Sequence, residues 1–109
     1  MERTLRDGTI FLVPDKPLIA AHEETVTREL TAALAQREGA RSVVLDLAQV
    51  REVDSRGIAL IVELHRRCRE QGLALVAVGL TDHVRRVFDL FQMESLFPIE
   101  PAPAGEGKR

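Results

Sequence analysis

The sequence predicts an α/β domain in which helices cover a small mixed β-sheet. Two short apolar runs, SVVLDL (42–47) and LALVAV (73–78), have the length and composition of strands that are buried on both faces. Segments with the apolar spacing of amphipathic helices precede, separate and follow these runs. Because strands alternate with helices, the sheet is expected to be at least partly parallel. The predicted order of elements is β-β-α-β-α-β-α-β.

An antiparallel hairpin is predicted at the start of the chain. The runs ERTLR and TIFLV are separated by Asp7-Gly8, a dipeptide that tolerates the positive φ angles of a two-residue turn. The following segment, PDKPLIAAH, contains Pro14 and Pro17, which hold the backbone extended and disfavour a helix. The sheet is therefore expected to begin with two antiparallel strands that lead into an extended connection.

The first helix is predicted to begin at Glu23. Apolar residues recur after it at i, i+4, i+7 and i+8, which is the stripe of an amphipathic helix. These residues are Val26, Leu30, Ala33 and Leu34. The helix is expected to end near Glu38-Gly39, because glycine readily adopts the left-handed backbone found after helix C-termini.

The second half of the chain predicts two further helices and a closing strand. IALIVELHRRCRE (58–70) is apolar nearly all round for two turns and then strongly charged, as in a helix whose first half is buried. Gly72 is expected to end it. Residues 82–91 repeat apolar side chains at i, i+3, i+4 and i+7, so they predict an amphipathic helix. LFPIE (96–100) predicts a short strand, which Pro98 confines to an edge or an end.

Length and composition predict one domain, residues 1–100, followed by a disordered tail, residues 101–109. The chain has 109 residues, of which 45% are hydrophobic and 29% charged, as in an ordinary globular domain. The tail PAPAGEGKR has no apolar periodicity. A net charge of −2 gives no reason to expect nucleic acid or an anionic membrane as a partner. No apolar run approaches the roughly 20 residues of a membrane span, so a cytoplasmic protein without membrane insertion is expected.

Patterns of catalytic or metal-binding residues are weak in this sequence. The three histidines are far apart in sequence and none has a ligand-like partner four residues on; they are His22, His65 and His83. There is no Gly-rich phosphate loop and no nucleophile elbow around Ser55. Cys68 is the single cysteine, and its helical context predicts a small core residue. We therefore expect no enzyme activity, no cofactor and no metal site.

The stretch VDSRG (53–57) lies between an apolar strand and an apolar helix, so it is expected at the entrance of that helix. Either Asp54 or Ser55 can accept a hydrogen bond from the unpaired N–H groups there, and Gly57 lets the backbone turn in closely. A structural cap explains the polar residues by itself. The functional alternative is a phosphate on Ser55, which would lie where a helix N-terminus stabilises an anion.

The segment from residue 41 to residue 100 resembles the STAS domains of bacterial anti-sigma factor antagonists. The resemblance is carried by the strand VVLDL, by VDSRG opening a helix, and by the strand of GLALV. It continues with the helix HVRRVFDL and the closing LFPI. The first forty residues resemble the family weakly. Each motif is loose alone, but their order and spacing together are fairly specific. The implied fold, a small mixed sheet covered by helices, agrees with the pattern-based prediction.

The resemblance also implies a function. Such proteins bind an anti-sigma factor that is also an ATP-dependent serine kinase, and phosphorylation of the antagonist breaks the complex. By position, Ser55 matches the phosphoacceptor, Asp54 the acidic residue before it, and Gly57 the glycine that lets the partner approach. A phosphatase acting on Ser55 is a further expected partner. The residues expected to contact the partner are Asp54, Ser55, Arg56, Gly57, Ile58, Thr81 and Asp82.

The sequence departs from the family pattern in three places. The family commonly has Ser, Thr or Ala where this chain has Arg56, a cation that could pair with a phosphate on Ser55 or on a partner's nucleotide. DKPLIAAHEE replaces the usual G-x-L-D, so Ile19 stands where an acidic residue is expected. No final amphipathic helix follows Ile99. The first two departures lie on the expected partner face.

Two other functions fit the sequence less well. One is a STAS-type structural subunit of a lipid-transport or stressosome-like assembly, in which Ser55 only caps a helix. The other is a small-ligand binder, for which no convergent polar residues are visible. For Thr81, a helix N-cap is the simple alternative to a role in partner contact.

Overall fold

The structure is a computed structural model that describes residues 1–101. It contains five strands, β1 (Glu2–Arg6), β2 (Thr9–Val13), β3 (Ser42–Asp46), β4 (Ala74–Val78) and β5 (Ile99–Glu100). Three α-helices accompany them, α1 (Glu23–Ala35), α2 (Ser55–Glu70) and α3 (Asp82–Leu90). Two short 3₁₀ helices, Ala20–His22 and Met93–Ser95, precede α1 and follow α3. The predicted order of strands and helices is confirmed.

The strands form one mixed sheet in the order β1-β2-β3-β4-β5. β1 and β2 pair antiparallel, with Leu5 opposite Ile10, and the remaining neighbours pair parallel. At the hairpin, Asp7 and Gly8 have φ angles of 52° and 79°, as the Asp-Gly turn predicts. Because β2, β3 and β4 are parallel, their C-terminal ends lie at one edge of the sheet. The connections to α1, α2 and α3 leave from that edge.

The core lies mainly against one face of the sheet. Alternate residues of β2, β3 and β4 are 0–5% exposed and lie in two rows across the strands: Ile10, Val43 and Leu75, then Leu12, Leu45 and Ala77. The row between them, Phe11, Val44 and Val76, is only partly buried. The prediction that β3 and β4 are buried on both faces is therefore wrong for the second face. Burial alternates with the period of two that a sheet imposes.

Helical side chains complete the core from positions that the apolar patterns predict. Cys68 is fully buried on α2, and burial raises the pKa of its thiol to about 11. Phe88 on α3 is also fully buried and packs edge-to-face on Phe97, with 6.5 Å between the ring centroids. The interpretation of Cys68 as a small core residue is confirmed.

Three boundaries differ from the prediction. α1 ends at Ala35, before Glu38-Gly39, and the left-handed Gly39 lies in the following turn. The segment predicted to be extended after Pro17 contains the 3₁₀ helix Ala20–His22. The last strand begins at Ile99 rather than residue 96. Of the predicted disordered tail 101–109, all but residue 101 lies outside the described residues.

Candidate functional site

The VDSRG stretch pairs with the connection between β2 and α1. Val53 forms an isolated parallel bridge with Leu18. The Leu18 N–H donates to the Glu52 carbonyl at 3.0 Å, and the Asp54 N–H donates to the Leu18 carbonyl at 3.2 Å. These two hydrogen bonds fix the entrance of α2 against a segment that lies more than thirty residues earlier in the sequence.

Asp54 is the residue that caps α2. Its Oδ1 accepts a hydrogen bond from the Gly57 N–H at 2.9 Å, and its backbone is extended, as expected of an N-cap residue. Its Oδ2 accepts a second hydrogen bond, from the Ala20 N–H at 3.0 Å. The hydrogen bonds from Ala20 and then Gly57 lower the pKa of the Asp54 carboxyl. One carboxylate thus bonds to two segments of the chain. Of the two candidates, Asp54 and not Ser55 is the residue that caps α2.

Ser55 is the first residue of α2 and is exposed. Because Asp54 makes the capping bond, the Ser55 hydroxyl is not needed to satisfy the backbone of the helix. Its position places the Oγ beside the unpaired N–H groups of the first turn, where a negative charge is favoured. The site therefore presents an accessible hydroxyl at the positive end of a sixteen-residue helix.

Gly57 and Ile58 are buried, so neither offers a side chain to a partner. A Cβ at position 57 would lie 1.9 Å from the Leu18 carbonyl oxygen and 2.7 Å from Val53 Cγ2. The close approach that requires a glycine here comes from the protein's own β2–α1 connection. This internal contact explains the glycine by itself, and the expectation that Gly57 lets a partner approach stays a prediction.

Arg56 extends from the first turn of α2 to the first residue of α1. Its guanidinium lies 3.2 Å from Glu23 Oε1, and the two side chains are 61% and 40% exposed. A cation near a helix N-terminus is mildly unfavourable, and the nearby carboxylate offsets this. The residue that departs from the family pattern therefore has an acidic partner within the chain.

The connection between β4 and α3 also lies against the VDSRG segment. Thr81 occupies the N-cap position of α3 without making a side-chain cap; its hydroxyl donates instead to the Val50 carbonyl at 2.8 Å. His83 Nε2 lies 3.4 Å from the Val53 carbonyl oxygen. Asp82 is exposed at the start of α3. The loop is thus adjacent to the Ser55 segment, as expected for neighbouring parallel strands. Thr81 lies at the predicted N-cap position, but its hydroxyl does not cap the helix.

The sequence-based reasoning missed the contributions of Leu18, Ala20 and Glu23. These residues bond to or pack against Asp54, Arg56 and Gly57, although they belong to the connection that matches the family pattern poorly. Ile19, at the position where an acidic residue was expected, is partly buried and precedes the 3₁₀ helix. The available signal was the pair Pro14 and Pro17, since an extended segment after β2 can pair with a neighbouring loop.

Residues 1–101 show neither of two other kinds of feature, a metal-binding cluster or a membrane-spanning helix. Over that range, no group of three or more His, Cys, Asp or Glu side chains could hold a metal ion. Over the same residues, no helix has the length and apolarity needed to cross a membrane.

A model of the STAS domain matches residues 1–104. The chain belongs to the STAS domain family. BtrV of Bordetella bronchiseptica, provisionally named an anti-sigma factor antagonist, is 30% identical to this STAS domain over 93 residues. The match covers 85% of this chain and 78% of BtrV.

Solved structures share the STAS fold at low identity. A Thermotoga maritima protein, provisionally described as an anti-sigma factor antagonist, has a TM-score of 0.82 at 20% identity, covering 98% of this chain and 90% of its own. Bacillus SpoIIAA in its phosphorylated form has a TM-score of 0.65 at 14% identity, with coverages of 98% and 95%. A sulfate transporter family protein from Wolinella succinogenes has a TM-score of 0.73 at 19% identity, with coverages of 89% and 80%. The fold thus occurs in anti-sigma factor antagonists and in transporters.

Proposed function

We propose that the protein is an anti-sigma factor antagonist whose binding to its partner is switched by phosphorylation of Ser55. The observation that carries this proposal is the division of roles at the start of α2. Asp54 caps the helix, while the adjacent Ser55 is exposed. A serine that is not needed for the cap can be modified without removing the hydrogen bonds that hold the helix entrance.

The proposed chemistry is a phosphoryl transfer catalysed by the partner. The Ser55 oxygen forms a bond to the γ-phosphorus of ATP, the bond to the β-phosphate oxygen breaks, and ADP and a proton are released. The product carries about −1.5 to −2 additional charges at neutral pH. The N-terminus of α2 stabilises such an anion, so the domain is expected to remain folded while its surface charge changes. In this scheme the protein is a substrate and not an enzyme.

The proposed partner is an anti-sigma factor that is also a serine kinase, and a phosphatase would restore Ser55 by hydrolysing the phosphoserine with water and releasing inorganic phosphate. The relative BtrV is provisionally named an anti-sigma factor antagonist, and SpoIIAA has been solved in a phosphorylated form; both facts support this assignment. We further propose that residues 1–100 act as a single cytoplasmic module. Neither nucleic acid nor membrane insertion is part of the scheme.

The proposed contact surface surrounds Ser55. Ser55, Arg56 and Asp82 are exposed and are available to a partner, whereas the partly buried Thr81 holds the neighbouring loop in place. Asp54 and the buried residues Gly57 and Ile58 support the surface from below. The surface is thus built from the α2 entrance and the β4–α3 loop together.

A second candidate function is a structural STAS subunit of a larger assembly, independent of phosphorylation. The resemblance to a sulfate transporter family protein favours this alternative. Stable co-purification with a transporter or a scaffold, unchanged by Ser55→Asp, would support it over the switch.

The switch is tested by incubating the protein with ATP and an anti-sigma factor of the serine kinase class, and then measuring intact mass. We expect an increase of about 80 Da, the mass of one phosphoryl group. The increase should be absent in Ser55→Ala and retained in Ser95→Ala, which removes another exposed serine. No increase in the wild type, or an increase that persists in Ser55→Ala, would contradict the proposal.

A further inference from the structure

The pair formed by Arg56 and Glu23 connects α1 and α2 beside Ser55. The guanidinium and the carboxylate are 3.2 Å apart, and both side chains are partly exposed to solvent. Exposed ion pairs of this kind are weak, because water and salt screen them and two flexible side chains must be held in place. The pair is therefore one that a stronger anion can replace.

A phosphate on Ser55 would be that stronger anion. Ser55 and Arg56 are consecutive residues in the first turn of α2, so the new charge would lie within reach of the guanidinium. A phosphate carries more charge than a carboxylate and can accept two parallel hydrogen bonds from arginine. Asp54, whose oxygens already accept from Gly57 and Ala20, adds a further negative charge that the phosphate must tolerate. Arg56 is the nearest residue in sequence that can offset it.

Loss of Arg56 would leave Glu23 without this cation. Glu23 is the first residue of α1 and follows the 3₁₀ helix whose Ala20 N–H bonds to Asp54. In the unmodified protein, the formal charges of Glu23, Asp54 and Arg56 sum to −1. A phosphate would change this local sum to about −3. The partner-facing surface would change from a nearly balanced cluster to a strongly acidic one that includes the start of α1.

We propose that Arg56 changes its ionic partner from Glu23 to the phosphate when Ser55 is phosphorylated, so that the modification is transmitted from α2 to the start of α1. This inference rests on the proposed function, since it requires Ser55 to be modified. In this inference Arg56, the residue that departs from the family pattern, binds the phosphate, and Glu23 loses its ionic partner.

The test uses the full chain with phosphoserine incorporated at position 55 during translation, so that no kinase is required. The second ionisation of the phosphate is followed by ³¹P NMR. Its pKa is near 6 without nearby charges, and a paired arginine lowers it. We expect Arg56→Gln to raise this pKa by about half a unit or more. Arg51→Gln, a matched change at another exposed arginine, should raise it much less.

A double-mutant cycle measures how strongly Glu23 and the phosphate compete for Arg56. Glu23→Gln should lower the phosphate pKa, and the decrease should be clearly larger when Arg56 is present than in the Arg56→Gln background. Equal decreases in both backgrounds, or an Arg56→Gln shift no larger than that of Arg51→Gln, would overturn the inference. Either result would leave the kinase test of Ser55 unaffected. Conversely, a chain that no kinase modifies would still report on Arg56 in this titration.

Discussion

At the scale of single residues, Asp54 both caps α2 and bonds to the connection between β2 and α1. Its two carboxylate oxygens accept hydrogen bonds from two different segments, at Gly57 and at Ala20. A cap could be predicted from the sequence, since a polar residue before an apolar helix is a local signal. The bond from Ala20 could not, because it joins residues 34 positions apart.

The lowered pKa of Asp54 predicts a pH-dependent contribution to stability. Because the folded-state pKa lies below the unfolded value, the stabilisation is fully present above the unfolded pKa and is lost as pH falls through the folded one. Asp54→Asn replaces one acceptor oxygen with an NH₂ group that cannot accept from both N–H donors. We therefore expect a lower melting temperature at pH 7 and a difference from wild type that shrinks as the pH falls below the unfolded carboxyl pKa of about 4.

Thermal unfolding monitored by circular dichroism across this range provides the measurement. Asp89→Asn, at an exposed position on α3, is the matched control and should stay close to wild type. A constant difference between Asp54→Asn and wild type at all pH values would contradict the assignment of the pKa shift to these hydrogen bonds.

Gly57 is required by the backbone that faces it. Helix propensity alone predicts that Gly57→Ala stabilises the protein by about 1 kcal/mol. The Cβ would lie 1.9 Å from the Leu18 carbonyl oxygen, so the two segments would have to separate. We expect a net destabilisation of about 2–3 kcal/mol, as for an overpacked core, measured by urea denaturation. Unchanged or increased stability would show that the β2–α1 connection does not lie against α2 in solution.

At the scale of elements, local patterns predicted the starts of the three helices better than the end of α1 or the start of β5. The start of α2 agrees because the cap and the apolar stripe are both local. The end of α1 differs because Arg3 of β1 donates hydrogen bonds to the carbonyls of Ala33 and Gln36, which satisfies the helix terminus early. That contact spans about thirty residues and leaves no local pattern in the sequence.

The last strand is short for a similar reason. Phe97 is buried between Phe88 and His65, with ring centroids 6.5 and 5.5 Å away, so Phe97 is used for packing rather than pairing. Pairing with β4 begins where the Pro98 carbonyl accepts from the Ala77 N–H. Pro98 was correctly expected to confine the strand, but the packing of Phe97 could not be predicted from spacing.

The Thr81 hydroxyl is one of the contacts that hold the β4–α3 loop to the β3–α2 connection. Thr81 Oγ1 donates to the carbonyl of the fully buried Val50. Thr81→Val keeps the shape and removes the donor, so we expect a loss of about 1 kcal/mol in the free energy of unfolding. Thr81→Ser retains the hydroxyl and should recover most of that loss. No loss in Thr81→Val, together with a loss in Thr81→Ser, would indicate that the methyl group, and not the hydrogen bond, holds the loop.

At the scale of the whole molecule, the parallel part of the sheet explains why the candidate site is where it is. The C-terminal ends of β2, β3 and β4 share one edge, and their three connections meet around Asp54. The fold class, strand order along the chain and the position of Ser55 at a helix entrance were predictable from the sequence. The coupling of the three connections was not, because it depends on contacts between loops with no periodic pattern.

A phosphate on Ser55 is expected to lower the affinity of the protein for the anti-sigma factor. Isothermal titration calorimetry measures the dissociation constant of that partner for the unmodified protein and for protein carrying phosphoserine at position 55. Phosphoserine at position 95, another exposed serine, controls for added charge elsewhere. We expect at least about tenfold weaker binding with phosphoserine 55, equivalent to about 1.4 kcal/mol, and little change with phosphoserine 95 or Ser55→Ala. Equal affinities for the unmodified and the phosphoserine 55 proteins would contradict the switch.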